Sequence, residues 1–130
     1  MQAQAAEWTT RPDPENVALL RRAVRDYVRQ FGIEDERVSD LTLAVSEIVA
    51  NAVIHAFRDG SDGTVTVAAH ACDEGMQVRV SDDGVGLSPR TDSPGAGLGL
   101  IIAGRVADRL EIERPADGGT HVCMTFARAA

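Results

Sequence analysis

The sequence predicts an α+β fold built as a two-layer α/β sandwich, with helices on one face of a mixed, mainly antiparallel sheet. Three observations predict it. Two stretches with helical spacing of apolar residues stand in succession near the N-terminus. Four short runs of alternating apolar residues follow, and one further helical run is inserted between the second and third of them. That order leaves the helices to cover one face of a sheet. A chain of 130 residues is expected to form a single domain over 1–130, large enough to bury a core without staples. Residues 1–6 read as a loose terminus. Hydrophobic residues make up 44% and aromatic residues only 4%, so Val, Leu, Ile and Ala must form most of the core.

Glu7 to Arg11 reads as a short first strand, and Pro12-Asp13-Pro14 as a turn. A helix is expected from about Pro14 or Glu15, with Asp13 a plausible cap. It carries Val17, Leu20, Val24, Tyr27 or Val28, and Phe31 at helical spacing, and Gly32 ends it. Asp35 opens a longer helix, with Val38, Leu41, Val45, Ile48 and Ala52 recurring to about Phe57. Asp59-Gly60 and Asp62-Gly63 are turn signals. Thr64 to Ala71 and Met76 to Asp82 alternate as strands around the turn at Asp73-Glu74-Gly75. Gly84 to Gly97 is rich in Gly, Pro, Ser and Asp and reads as a loop. A third helix is expected from about Gly97 to Asp108. Leu110 to Arg114 and Thr120 to Ala127 read as closing strands.

Composition narrows the function classes. The formal net charge is −7, whereas direct nucleic-acid binding needs a basic face. All 13 basic residues are Arg, so a P-loop, which places a lysine on the phosphates, is excluded. Cys72 and Cys123 sit in strand-like runs without partners at zinc-ligand spacing, and read as buried free thiols of a reducing compartment. The first ten residues lack the apolar core of a signal peptide, and no apolar run approaches a membrane span. The expected location is the cytoplasm.

Four constellations could carry chemistry. Glu47, Asn51 and His55 stand at i, i+4 and i+8 on the second helix, in one row beside the apolar stripe. At about 100° per residue the row drifts toward that stripe, with His55 nearest. Taken alone, such a row equally describes a solvated flank. Asp82 shares strand parity with Met76, Val78 and Val80, so it points into the layer between sheet and helices. A carboxylate there is costly unless something satisfies it. Gly84 and Gly86 follow, and glycines let a backbone turn tightly against a ligand, although Asp-Asp-Gly-x-Gly also describes a plain turn. Thr120 shares parity with Val122, Met124 and Phe126 and points the same way. A carboxylate and a hydroxyl so placed suit an aminopurine. A threonine satisfied by backbone is the simpler alternative. Finally, Gly95, Gly97, Leu98 and Gly99 lead into a helix, where backbone N–H groups can face an anion; a hinge would have the same composition.

Together, and in this order, Glu-x-x-x-Asn-Ala-x-x-His, Asp-x-Gly-x-Gly, Gly-x-Gly-Leu-Gly-Leu and Gly-Gly-Thr resemble the Bergerat-fold ATPases, the superfamily of gyrase and the histidine kinases. Within it, the chain is most similar to the stand-alone anti-sigma factor serine kinases, from about Glu15 to Phe126. The resemblance implies the histidine-kinase-type ATPase fold, with ATP and Mg²⁺ as cofactors. It makes Glu47 the general base and Asn51 the Mg²⁺ ligand. Asp82 would accept from the adenine amine with Thr120 in support, and Gly84 and Gly86 would line the base. Gly95, Gly97, Leu98 and Gly99 would form the lid and its junction with the helix, around the phosphates. Arg90 or Arg105 could add charge there, although Arg105 equally suits a surface role. His55 fits the motif without an evident role.

The implied activity is a serine/threonine protein kinase that binds a sigma factor and phosphorylates an anti-anti-sigma protein of the STAS type. A non-catalytic ATP-dependent module that sequesters a regulator is the second reading. Members of the family often form homodimers. About ten residues separate Gly86 from Gly97, a shorter lid than histidine kinases carry. The chain also lacks their upstream helix with a phosphoacceptor histidine.

Overall fold

The computed structural model describes residues 5–59, 63–82, 96–116 and 119–129, with only the backbone of 55–59 and 96–98. The chain runs through β1 (Ala5–Thr10), α1 (Pro14–Val28), a 3₁₀ turn (Arg29–Phe31), α2 (Asp35–Asp59), β2 (Val65–Ala71), β3 (Gly75–Asp82), α3 (Ala96–Val106), β4 (Arg109–Glu113) and β5 (Thr120–Ala127). Each expected element is present, with ends moved by up to two residues, except that the first helix, expected to run to Gly32, ends as an α-helix at Val28 and continues to Phe31 as the 3₁₀ turn. The expected loop at 84–97 lies outside the described residues except for its last two positions, which already belong to α3.

The five strands are ordered β1-β2-β3-β5-β4. Every described pairing is antiparallel, which corrects the expectation of a mixed sheet. The reason is positional. β3 and β4 run in the same direction, but β5 lies between them and pairs antiparallel with both.

Period-two patterning decides which face is buried. Val80 pairs with Val67 and Val122, Val78 with Ala69 and Met124, and Met76 with Ala71 and Phe126. These rows form the floor of the core, and the α2 residues Leu41, Val45, Ile48, Val49 and Ala52 pack above them. From α1 come Leu20, Val24 and Val28. Each such side chain contributes about 1.5–3 kcal/mol on burial, so the inter-layer seam dominates stability. Trp8 sits edge-on to Tyr27, which tilts against Phe31, and these three aromatics close the seam beside β1.

Two local expectations need correction. Asp13 occupies the N-cap of α1 with extended backbone but makes no side-chain cap bond. The turn is held instead by backbone, with Asn16 N–H donating to the Asp13 carbonyl at 2.9 Å and Asp13 N–H to Arg11 at 2.8 Å. Cys72 and Cys123 are free but half-buried, not buried. Burial first, and then the Glu113 carboxylate, pushes the Cys123 thiol up from its ordinary value.

Gly75, expected in the hairpin turn, begins β3 opposite Ala127. Its φ is +152°, and an added Cβ would stand 2.1 Å from the Phe126 carbonyl oxygen. Since that obstacle is backbone, side-chain rotation cannot relieve it. Gly75→Ala is expected to lower unfolding free energy by about 2–3 kcal/mol, read from the midpoint of urea denaturation.

Candidate functional site

The polar row of the second helix sinks as it advances. Glu47 is half-buried and Asn51 is only 3% exposed, following the angular drift that a 3.6-residue repeat imposes. The backbone of His55 continues α2, but its side chain lies outside the described residues. Asn51 is therefore a carboxamide carried into the seam by a helix whose neighbouring positions, Val49 and Ala52, are core.

Asp82 and Thr120 meet through the sheet. Asp82 ends β3, Thr120 begins β5, and the two are direct partners in the antiparallel register. Directly opposed residues bring their Cβ atoms to about 4.5–5.5 Å. Both are buried, at 5% and 2% exposure, on the face shared with Val80 and Val122. Parity alone put each in the inter-layer seam; register makes them neighbours. The result is a carboxylate and a hydroxyl side by side at one end of an otherwise apolar floor. Such a pair can accept from an amine and complete the contact through the hydroxyl.

The glycine run divides. Gly84, Gly86 and Gly95 lie outside the described residues. Gly97 and Leu98 are in the first turn of α3, described by backbone alone. Gly99 is buried within that helix. A Cβ there would stand 3.0 Å and 3.1 Å from the Asn51 side-chain amide atoms and 3.1 Å from the Glu47 carbonyl oxygen. Gly99 thus lets α3 seat directly on α2 at the two residues that head the candidate site. The N–H groups of the first turn of α3 lack intrahelical acceptors, and this turn leads into Gly99, which seats on Asn51 and the Glu47 carbonyl.

The donor chemistry suits a shared cation. Among the described residues no group of three or more His, Cys, Asp or Glu could hold a metal ion. Mg²⁺ bound through one or two protein ligands and completed by phosphate oxygens and waters needs no such cage, and the buried Asn51 carboxamide fits that role. Arg105 is exposed in the last turn of α3, at the opposite end from Gly97 and Gly99, which suits a surface role. Arg90 lies outside the described residues.

A cavity of about 490 Å³ lies on the other face of the sheet, lined by residues such as His70, Arg79, Arg109, Glu111 and Cys123. It is separated from Asp82 and Thr120 by the sheet itself. It contains none of the sequence-predicted site residues.

One arrangement was invisible in the sequence. Arg37 of α2 is buried and bonds to Asp108, just after α3, 71 positions away. Arginine and aspartate at that separation carry no local pattern, so no sequence signal marks them.

Residues 10–126 match the family described as histidine kinase-like ATPase domain. The chain is 33% identical over 127 residues to the serine-protein kinase RsbW of Listeria innocua, covering 86% of this chain and 80% of that protein. It is 28% identical over 121 residues to an anti-sigma F factor of Clostridium novyi, covering 85% of each. A crystal structure of RsbU and RsbW domains from a Mycobacterium tuberculosis protein superposes with a TM-score of 0.73 at 24% identity. It covers 98% of this chain, which spans about a third (34%) of that longer chain, and the likeness establishes the fold.

The Gly99 contact makes a specific expectation. A methyl there costs about 1–3 kcal/mol through overpacking, while Ala gains about 1 kcal/mol over Gly in helix propensity. Gly99→Ala should therefore change global stability by no more than about 2 kcal/mol, yet displace the Asn51 carboxamide. A shift of the Asn51 side-chain NH₂ resonances, read beside a thermal melt, checks both parts.

Proposed function

The chain belongs to the histidine kinase-like ATPase domain family, and from that premise we propose that it is an ATP-dependent serine/threonine protein kinase acting as an anti-sigma factor. In this reading it binds a sigma factor and phosphorylates a Ser or Thr of a STAS-type anti-anti-sigma protein. The names of the relatives, a serine-protein kinase and anti-sigma F factors, support it. The observation that carries the nucleotide assignment is the direct pairing of buried Asp82 with buried Thr120. An apolar seam ending in one carboxylate and one hydroxyl is a natural recess for an aminopurine.

Each residue then has a role. Asp82 accepts a hydrogen bond from the exocyclic amine, and Thr120 completes the contact. Gly84 and Gly86 let the backbone pass close to the base. Gly95, Gly97, Leu98 and Gly99 border the phosphates. Asn51 would hold Mg²⁺, which when bound neutralises charge on the phosphates. Glu47, one helical turn before Asn51, accepts the proton of the attacking hydroxyl. With no lysine in the chain, positioning by backbone N–H groups carries the rest of the phosphate recognition. Residues 1–130 act as one ATP-binding domain in the cytoplasm, and among the described residues no helix is long and apolar enough to cross a membrane.

Two substitutions test this. With a STAS partner, Glu47→Ala is expected to reduce phosphotransfer by about 100-fold or more, as loss of a general base does, with Mg-ATP affinity nearly unchanged. Unchanged phosphotransfer overturns the base and favours a binding module. Asp82→Asn should weaken ATP binding by roughly 10- to 100-fold, because a bond to a charged acceptor is worth about 1.5–3 kcal/mol. Calorimetry with Mg-ATP measures it, and wild-type affinity in that variant rules out the adenine contact.

A further inference from the structure

We infer that Arg37 is a positioning residue for the phosphate end of the nucleotide site, pinning the far end of α3 to α2 and so setting where Gly97 to Gly99 rest over Asn51. The inference builds on the nucleotide reading above.

The Arg37 side chain is 8% exposed, and its guanidinium reaches four acceptors on three parts of the fold. Nη1 donates to Asp40 Oδ2 at 2.7 Å, one turn on in the same helix. Nη2 donates to Asp108 Oδ2 at 2.6 Å and to the Val106 carbonyl, the last of α3, at 3.3 Å. Nε donates to the Ala127 carbonyl at the end of β5, at 3.4 Å. The cation also lies 5.6 Å from the centroid of the Phe126 ring. Asp108 is fixed in turn: its Oδ2 accepts from Ala127 N–H at 2.7 Å, and its own N–H donates to the Thr125 carbonyl at 2.9 Å.

This cluster and the Gly99 contact hold α3 at its two ends. Near the N-terminus the helix rests on Asn51 and the Glu47 carbonyl through Gly99. At the C-terminus the guanidinium fork holds Val106 and Asp108. Seven residues, about 10 Å at 1.5 Å per residue, separate Gly99 from Val106. The first contact is steric and limits only approach. The second is directional, because a planar guanidinium held by Nη1 on Asp40 and by Nη2 on Asp108 and the Val106 carbonyl is fixed in angle as well as distance. Asp108 is 53% exposed, and an ion pair with one solvated partner offers little net stability, so the chief yield of this one is geometric. Without it this end of α3 is held by the Asp108 N–H to Thr125 bond and by the apolar packing of Leu100 and Ala103, which limit a shift along α2 less strictly, and such a shift carries Gly99 away from Asn51. Asp82 and Thr120 stand on strands held by the β3–β5 ladder and do not ride on α3.

The pin therefore predicts a selective loss. Affinities for Mg-ATP and for adenosine are measured for wild type, Arg37→Met, Arg37→Lys and Asp108→Asn, with α3 amide exchange followed in the nucleotide-free proteins. Arg37→Met removes the fork but keeps an apolar side chain at the site, and is expected to weaken Mg-ATP by roughly tenfold while changing adenosine by less than about twofold. Arg37→Lys retains charge without the fork and should fall between it and wild type. Exchange should rise across 99–106 and stay unchanged in β3 and in β5 from Thr120 to Phe126, Ala127 being left out because its N–H bonds Asp108 directly. Equal weakening of both ligands, or exchange that rises equally in the strands, reduces Arg37 to a general stabiliser and overturns the inference. Unchanged Mg-ATP affinity overturns it too. If Arg37→Met does not fold, Asp108→Asn provides the same comparison. Wild-type protein that binds no Mg-ATP overturns the nucleotide reading, while α3 exchange still tests the pin by itself.

Discussion

The antiparallel pairing of β3 with β5 is the constraint on which the remainder of the molecule depends. Both strands are interior to the sheet, each with a neighbour on either side, and their shared register places Met76 on Phe126, Val78 on Met124, Val80 on Val122 and Asp82 on Thr120. A slip of one residue would turn every one of these side chains to the opposite face. It would expose the floor of the core and break the polar pair in the same step. The apolar rows therefore enforce, through the large free energy of their burial, the position of two polar groups that bury at a cost. Stability and the candidate nucleotide recess are specified by the same ladder.

The helical layer meets that floor through α2, which touches both β3 and β5 and also packs against α1 and α3. Its apolar face binds the sheet, and its polar row runs along the border of that face. Asn51 is buried because α3 covers it, and α3 can come so close because position 99 has no side chain. Close approach places the first turn of α3, whose N–H groups have no intrahelical acceptor, beside the one buried carboxamide of α2. Arg37 acts at the other end of the same helix pair. Its hydrogen bonds join the beginning of α2, the end of α3 and the end of β5, elements that local interactions alone would leave independent.

Much of this was legible in the linear chain. The 3.6-residue period from Val38 to Ala52 and the two-residue period from Val122 to Phe126 each select a single buried face. Asp82 and Thr120 inherit their orientation from those patterns, and the Glu47–Asn51 row inherits its partial burial from the angular drift. The glycine run was less legible. Composition could not separate a hinge from an anion-facing turn, and it gave no sign of the contact that Gly99 makes with Asn51. The mixed sheet was misread because alternation specifies a strand's faces but not its neighbours. The Asp13 cap failed for a related reason, since the backbone of the turn met the same need.

By itself, the sequence determined the two layers, the faces of each element and the chemical types available between them, because these follow from periodicities along one segment at a time. The tertiary structure alone decided which segments became neighbours: β5 between β3 and β4, Asp82 opposite Thr120, Gly99 on Asn51, and Arg37 beside Asp108. The last three of these contacts join residues between 38 and 71 positions apart. No local propensity spans such distances; only the simultaneous burial of both layers brings them together.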